Sequence, residues 1–295
     1  MKNTHLEAKD IYKYFGGVKA LEGATVVVSK NKLFSLIGPN GSGKTTLFNV
    51  VTCWLEKTNP FELEVEKNLL SRFLGWLLGK FSRNGESPEK TLEKSPVEDV
   101  GSVEFENTRI DGLTAHEAAL TGMMRTFQTT RNWPKLTVLE NLLVAPPKQT
   151  GDSFLNIFFK RKKIREEERK NTLRALEILE FLEITHIRDQ LGEELSGGQL
   201  KILALGRVLM TAPNLILLDE PTAGINPSLA NKIMDKILDL KVDSTIFLIE
   251  HNMDVVFNYS DEIFVMARGK IIAQGTPPEI ETNRDVIEAY LGADY

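Results

Sequence analysis

The sequence predicts an α/β fold with a mixed or parallel β core, and three observations carry that prediction. Three short, almost wholly apolar runs, "LFSLIG" (33–38), "NLILLDEP" (214–221) and "TIFLIEH" (245–251), read as strands buried on both faces. Helical-period segments separate them, as α/β alternation requires. The first run ends in a glycine-rich turn that opens into a helical run.

In chain order, "LEAKDIYKYF" and "ATVVVS" are short β-rich runs divided by a glycine-containing turn. After "LFSLIG" a helix is expected from Leu47 to about Leu55. Residues 56–100 fit no short connection. "GSVEFENTRI" alternates like a half-exposed strand, with Val103 and Phe105 on one face. From Thr114 to Leu191 the pattern is mainly helical, and in "REEERKNTLRALEILEFL" apolar residues recur at 173, 176, 179 and 182. A helix from about Ser228 to Leu240 separates the second and third buried strands. "DEIFVMARGKIIAQG" predicts a hairpin, and "PPEIETNRDVIEAYLG" a closing helix. No internal repeat is present.

The totals narrow the function classes. The chain has 295 residues, 42% hydrophobic and 26% charged, with a net charge of −5. That balance argues against a protein whose whole surface grips nucleic acid. Cys53 is the only cysteine, so neither an intramolecular disulfide nor a cysteine-rich metal site is possible, in keeping with a reducing compartment. "MKNTHLEAKDIYKYF" lacks the apolar stretch of a secretory signal, and no run reaches the roughly 18 apolar residues that span a bilayer. A cytosolic protein, at a membrane surface, is expected.

The chemistry is concentrated at strand ends. "GPNGSGKT", Gly38, Pro39, Asn40, Gly41, Ser42, Gly43, Lys44 and Thr45, fits G-x-x-x-x-G-K-[ST] between an apolar strand and a helix, with Thr46 next. Glycines let backbone N–H groups turn inward around phosphate oxygens, and the helix N-terminus adds its positive dipole end. Lys44 would reach the β- and γ-phosphates, and the Thr45 hydroxyl would ligate Mg²⁺. Asp219, at the end of "LILLD", can hold Mg²⁺, and Glu220 can polarise an attacking water. His251 closes the third apolar strand, and ligands bind at the carboxyl ends of open parallel sheets.

"LSGGQ", Leu195 to Gln199, lies about twenty residues before "LLDEP". With the phosphate loop, "DEPTAG" and His251, the chain resembles the ATPase subunit of an ABC transporter, in order and spacing, outside roughly residues 56–100. The resemblance implies a phosphate-loop ABC ATPase domain with an antiparallel β subdomain and an α-helical subdomain. One nucleotide-binding domain would span 1–295, with the helical subdomain at about 114–200. It implies that Gln128 in "RTFQ" meets Mg²⁺ and water. It also implies that Ser196, Gly197, Gly198 and Gln199 contact nucleotide on the other protomer, that His251 touches the γ-phosphate, and that Phe15 in "KYFGG" stacks on adenine. Tyr14, Tyr12 or a core role are the alternatives to Phe15.

"AGIN", Ala223 to Asn226, puts an uncharged asparagine where the wider superfamily has aspartate. "AGxNP", "LTVLENLLVA", "EHNMDVV" and "VIEAYLG" resemble the larger ATPase subunit of branched-chain amino-acid importers. ATP and Mg²⁺ are then the expected cofactors. The expected partners are a second ATPase subunit, identical or different, two transmembrane permeases and, indirectly, a substrate-binding protein. No nucleic acid is expected. The expected location is the cytoplasmic face of the cell's inner membrane. Two rivals stand beside this: an ATPase for another cargo, such as lipopolysaccharide export or urea uptake, and a soluble ABC ATPase acting on ribosomes or DNA. A single cassette without a heptad array speaks against the latter.

Two segments remain outside that scheme. "NLLSRFLGWLLGKF" (68–81) predicts an amphipathic helix over about 67–82 inside the 56–100 insertion, followed by a polar linker. Packing on its own domain, docking on a partner and lying on an anionic membrane all suit it. "FLNIFFKRKKIREEER" (154–169) sets apolar bulk before a basic cluster, readable as a partner contact or a solvated helix start.

Overall fold

In the computed structural model the described residues are 4–57, 101–126 and 132–291. Two sheets organise them. β1 (Thr4–Phe15), β2 (Val18–Ser29), β4 (Ser102–Phe105) and β5 (Thr108–Arg109) form an antiparallel sheet in the order β2-β1-β4-β5. β3 (Leu33–Ile37), β6 (Met123–Arg125), β7 (Leu215–Asp219), β8 (Thr245–Ile249), β9 (Glu262–Ala267) and β10 (Lys270–Gly275) form the second, in the order β10-β9-β3-β8-β7-β6. It is parallel from β9 through β6, with β10 antiparallel at one edge.

The three apolar runs are β3, β7 and β8, and all five residues of each are buried. Their side chains alternate between two cores, as the period-2 geometry of a strand demands. Leu215, Leu217, Phe247 and Ile249 join the first sheet and helix α1 (Lys44–Val51). Ile216, Leu218, Ile246 and Leu248 pack on the other side, against helices α5 (Arg161–Phe181), α6 (Gly197–Leu209) and α7 (Pro227–Leu240). Covering both faces leaves only the strand ends open to solvent.

Helix starts follow side-chain capping. Thr114 opens α2 (Ala115–Leu120), Thr137 opens α3 (Val138–Leu143) and Ser196 opens α6, each through a capping box with Glu117, Glu140 and Gln199. Asn226 caps α7: its Oδ1 accepts from Leu229 N–H at 2.9 Å, and Pro227 follows it. The residue that differs from the superfamily aspartate thus does the capping an aspartate would do.

Several sequence expectations are corrected. The helix after the glycine loop begins at Lys44, and residues 52–55 have left it. "MMR" within the expected helical stretch is strand β6, recruited by pairing with β7. "GSVEFENTRI" is a tight hairpin, β4 to β5, turning at Glu106 and Asn107, both with positive φ. The buried stripe of α5 is Ala175, Ile178 and Leu179 with Leu182 beyond it, whereas Leu173 faces solvent. Beyond α8 (Met253–Tyr259), the closing helix is two, α9 (Pro277–Glu281) and α10 (Arg284–Leu291), broken where Asn283 caps the second. Within the 56–100 insertion, residues 58–100, including the expected helix over 67–82, lie outside the described residues. Lys57 and Gly101 on either side of them are hydrogen-bonded to each other, and Lys57 Nζ lies 2.8 Å from Asp111 Oδ2.

His5 joins the two sheets. Its Nδ1 is 2.6 Å from Thr245 Oγ1 and its Nε2 is 3.3 Å from Glu106 Oε1. Burial pushes the imidazole below its ordinary 6.5; Lys30 adds to this and Glu106 opposes it. A depressed histidine binds its proton more readily unfolded. Its contribution is therefore present above about pH 6.5 and declines below it, with a limiting slope of about 1.4 kcal/mol per pH unit. Asp111 titrates in a separate, more acidic window: burial opposes its ionisation, but bonds from Arg109, Lys57 and Val103 N–H outweigh this and hold it far below 3.8. Denaturant midpoints measured from about pH 7.5 to 5.5 should fall for the natural chain and fall less for His5→Gln. Parallel curves would assign the loss to other groups.

Candidate functional site

β3 delivers the chain to Gly38, and the turn that follows depends on glycine at two positions. Gly38 has φ 149°, and a Cβ there would stand 2.0 Å from Met266 O. Gly43 has φ 110°, and its Cβ would meet Ala20 O at 2.5 Å. Neighbouring strands therefore press the loop from outside, and only glycine allows that approach. Gly269 N–H donates to Ser42 O at 2.9 Å, tying the loop to the β9–β10 turn. Tyr290 of α10 lies beside the Gly38 backbone, and burial pushes its phenol up to about 12.

Lys44 is buried and folds back, its Nζ donating to Gly38 O at 2.8 Å and Pro39 O at 3.0 Å. Burial pushes its ammonium below the ordinary value, while Glu220 and Asp219 oppose the shift across the site. The first bond into α1 is Leu47 N–H to Gly43 O, so the Lys44, Thr45 and Thr46 N–H groups form the helix's leading edge. The Ser42 hydroxyl is buried without a hydrogen-bond partner. Asn40, Gly41 and Thr45 are exposed at the mouth. A glycine cradle, an orphaned buried hydroxyl, a helix start and a buried ammonium together fit a polyphosphate.

β7 and β8 bring the acidic half. Asp219 is buried, and its Oδ2 accepts from Arg125 of β6 at 2.7 Å; Arg125 also reaches Asn49 Oδ1 of α1 at 2.5 Å. Glu220 follows in the left-handed region, φ 51°, which costs a non-glycine residue about 1–2 kcal/mol. Its N–H donates to Ile249 O at 3.0 Å, and Lys201 Nζ donates to its carbonyl at 2.8 Å. Held this way, Glu220 Oε1 lies 3.1 Å from His251 Nε2. Among the described residues no cluster of three or more His, Cys, Asp or Glu side chains forms a metal cage. One carboxylate and one hydroxyl suit Mg²⁺, which takes few protein ligands beside substrate phosphates.

The structure thus brings Lys44, Asp219, Glu220 and His251 to one end of the sheet. Gln128 lies outside the described residues. Phe15, at the end of β1, is half exposed, with Lys13 Nζ 5.5 Å from its ring centroid. Ser196 and Gly197 are exposed at the start of α6, with Gly198 and Gln199 half-buried behind them. Gly198 is close-packed: a Cβ would lie 2.5 Å from Leu229 Cδ2. Among the described residues no hydrogen bond joins this segment to the 38–46 loop.

Three residues escape sequence reasoning. Arg125 pairs with Asp219. Glu250, 2% exposed, is the centre of a clasp: Oε1 accepts from Thr222 N–H (3.0 Å) and Thr222 Oγ1–H (2.5 Å), and Oε2 from His251 N–H (3.0 Å). Lys201 of α6 joins the Glu220 carbonyl to that of Ala223, at 2.8 and 2.5 Å. The one available signal was a charged residue, Glu250, ending an otherwise apolar strand.

The ABC transporter family profile matches residues 90–223, and the profile described as branched-chain amino acid ATP-binding cassette transporter matches 270–295. The probable branched-chain amino acid transport ATP-binding protein LivG of Methanocaldococcus jannaschii is 38% identical, over 97% of both chains. The high-affinity branched-chain amino acid transport ATP-binding protein BraF of Pseudomonas aeruginosa is 33% identical, over 99% of both. The crystal structure of an ABC transporter's ATP-binding cassette in its ADP conformation aligns with TM-score 0.72 at 37% identity, covering 98% of this chain and 99% of that one. With its phosphate loop and paired acidic strand end, the chain belongs to the ATP-binding cassette family of ABC transporters and is one of its ATPases.

Proposed function

We propose that this ATPase powers uptake of branched-chain or related amino acids through a membrane transporter. The observation that carries the proposal is full-length likeness to transport ATP-binding proteins for that cargo, supported by the convergence of Lys44, Asp219, Glu220 and His251 at one end of the sheet. The transported amino acid touches none of these residues. Its identity belongs to permease chains, two of which the assembly would contain together with a second ATPase subunit and an external binding protein.

At the site, backbone N–H groups of 41–46 and Lys44 hold the β- and γ-phosphates, with Phe15 against the adenine. Thr45, Gln128 and Asp219 would hold Mg²⁺, which when bound neutralises phosphate charge. Lys44 must then leave its bonds to Gly38 O and Pro39 O, and Asp219 must share its charge between Arg125 and the cation. Glu220 takes the proton of the attacking water, and His251, 3.1 Å away, fixes its carboxylate and faces the γ-phosphate. The exposed Ser196–Gly197 edge supports a signature that serves the partner's nucleotide rather than its own. ATP would thereby glue two protomers until hydrolysis loosens them. Residues of this chain act at the cytoplasmic membrane face as a peripheral subunit; among the described residues no helix is long and apolar enough to cross a bilayer.

Glu250 and Lys201 position the catalytic pair. The Glu250 carboxylate fastens the loop after Glu220 to the loop carrying His251, and Lys201 connects the loop after Glu220 to the helix that begins with the signature.

Glu220→Gln should bind ATP normally while kcat falls about 10²- to 10⁴-fold, the usual worth of a general base, and should accumulate as an ATP-bound dimer on size exclusion. Near-normal turnover would remove Glu220 from that role. Lys44→Ala should weaken ATP about 10- to 100-fold in a labelled-nucleotide binding assay, since a charged hydrogen bond is worth about 1.5–3 kcal/mol. Glu250→Ala should lower kcat at least about tenfold with ATP KM little changed, and Glu250→Gln, which keeps one acceptor oxygen, should recover part of it. A rise in KM alone would contradict the positioning role.

A further inference from the structure

The helix α4 (Phe154–Phe159, "FLNIFF") is inside out. Its apolar side chains are exposed, Phe154 by 73%, Phe158 by 53% and Phe159 by 83%, with Leu155 and Ile157 exposed as well. Asn156, its one polar residue, is the least exposed of the six. At 100° per residue the five apolar positions sweep an arc of about 200°, with Asn156 facing the domain. Immediately after them come Lys160, Arg161, Lys162, Lys163 and, one turn on, Arg165, all exposed. The acidic neighbours lie to either side: Asp152 before the helix, and Glu166, Glu167 and Glu168 farther along α5.

This projection is built rather than slack. Thr150 N–H donates to Glu167 Oε2 at 2.9 Å, bracing the turn before α4 against the second turn of α5. Lys160 N–H closes the short helix on Asn156 O at 2.8 Å, and the Phe154 and Phe158 rings meet edge-on at 5.1 Å. The bracing keeps the apolar arc pointing away from the core that α5 covers with Ala175, Ile178 and Leu179.

We propose that α4 and its Lys160–Lys163 flank form a docking surface for an anionic lipid bilayer, with the phenylalanines entering the acyl boundary and the cations meeting phosphate headgroups. Two features select lipid over a protein groove. A groove-bound helix offers a stripe of about 100°, whereas a medium that surrounds the helix accommodates twice that arc. The continuous basic run beside the apolar arc is the complement of an anionic leaflet, and each cation adds attraction that salt weakens. Six residues are too few to cross a bilayer, so contact is confined to one leaflet. None of these residues takes part in the ATP site.

The test is flotation of the purified full chain with vesicles of phosphatidylcholine, or of phosphatidylcholine containing phosphatidylglycerol. The chain should float with the anionic vesicles, about tenfold less with the neutral ones, and less at high salt. Phe154→Ser/Phe158→Ser/Phe159→Ser should abolish flotation, and Lys160→Gln/Arg161→Gln/Lys162→Gln/Lys163→Gln should reduce it to the neutral-vesicle level. Both variants should keep basal ATPase activity, which also shows that they fold. As a direct reading of insertion, the added fluorescence of Phe159→Trp should shift to the blue only with anionic vesicles. Equal flotation of the triple-serine variant, or a natural chain that stays in solution with both vesicles, would overturn the proposal. So would a surface that binds only solubilised permease chains. Loss of ATPase activity in Glu220→Gln leaves flotation untouched, so this result and the proposed catalytic roles fail independently.

Discussion

The carboxyl ends of β3, β7 and β8 stop at one edge of a sheet buried on both faces, and the glycine loop, Asp219, Glu220 and His251 all hang from that edge. Between the two cores no backbone polar group of these strands can find water, so parallel pairing must satisfy them. Pairing β3–β8 and β7–β8 follows from that requirement, and the division of side chains between the two cores sets its register. Register in turn sets the spacing of Gly38, Asp219 and Glu250, the residues where pairing ends or is about to end. A slip by one residue would turn the buried side chains of a strand to the opposite core and carry Asp219 away from the loop.

Charge at this edge is kept by mutual compensation. Lys44 answers Gly38 and Pro39 carbonyls and lies within the field of Asp219 and Glu220; Asp219 answers Arg125; Glu220 meets His251; Glu250 is bonded on both oxygens. Each buried ion would be costly alone, and each is tolerable because its partners are placed by different elements. The left-handed Glu220 belongs to the same economy. Its strain is held by bonds to Ile249 O and from Lys201, and strained conformations of this kind collect at working sites.

Much of this could be read in the chain before folding. The glycine loop is legible because its inward N–H groups, lysine and hydroxyl come from one contiguous run, Gly38 to Thr45; the close approach of Met266 O and Ala20 O, which also demands glycine there, shows only in the fold. The buried strands are legible as unbroken apolar runs. Strand β6 was not, because "MMR" has no period of its own and becomes a strand only when β7 offers an edge. The helix stripe at 173–182 was half legible, since spacing identified a helix but not the one rotation that Ala175 and Ile178 take against the core. Leu173 and the whole of α4 show that apolar residues need not be inside, which no periodicity can announce.

Read alone, the chain yields the phosphate loop, the three buried strands and the acidic residues at their ends, because each is spelled out by a short contiguous run of residues. The couplings between distant residues arise only on folding. Arg125 meets Asp219 across 94 residues of chain, and Thr222 meets Glu250 across 28. The fold alone shows Asn226 capping α7 and Asn156 turned inward beneath an exposed apolar arc. Hydrogen bonds reach only about 3 Å, so which distant groups share one depends on strand register and helix rotation, and these are settled by packing the whole core at once.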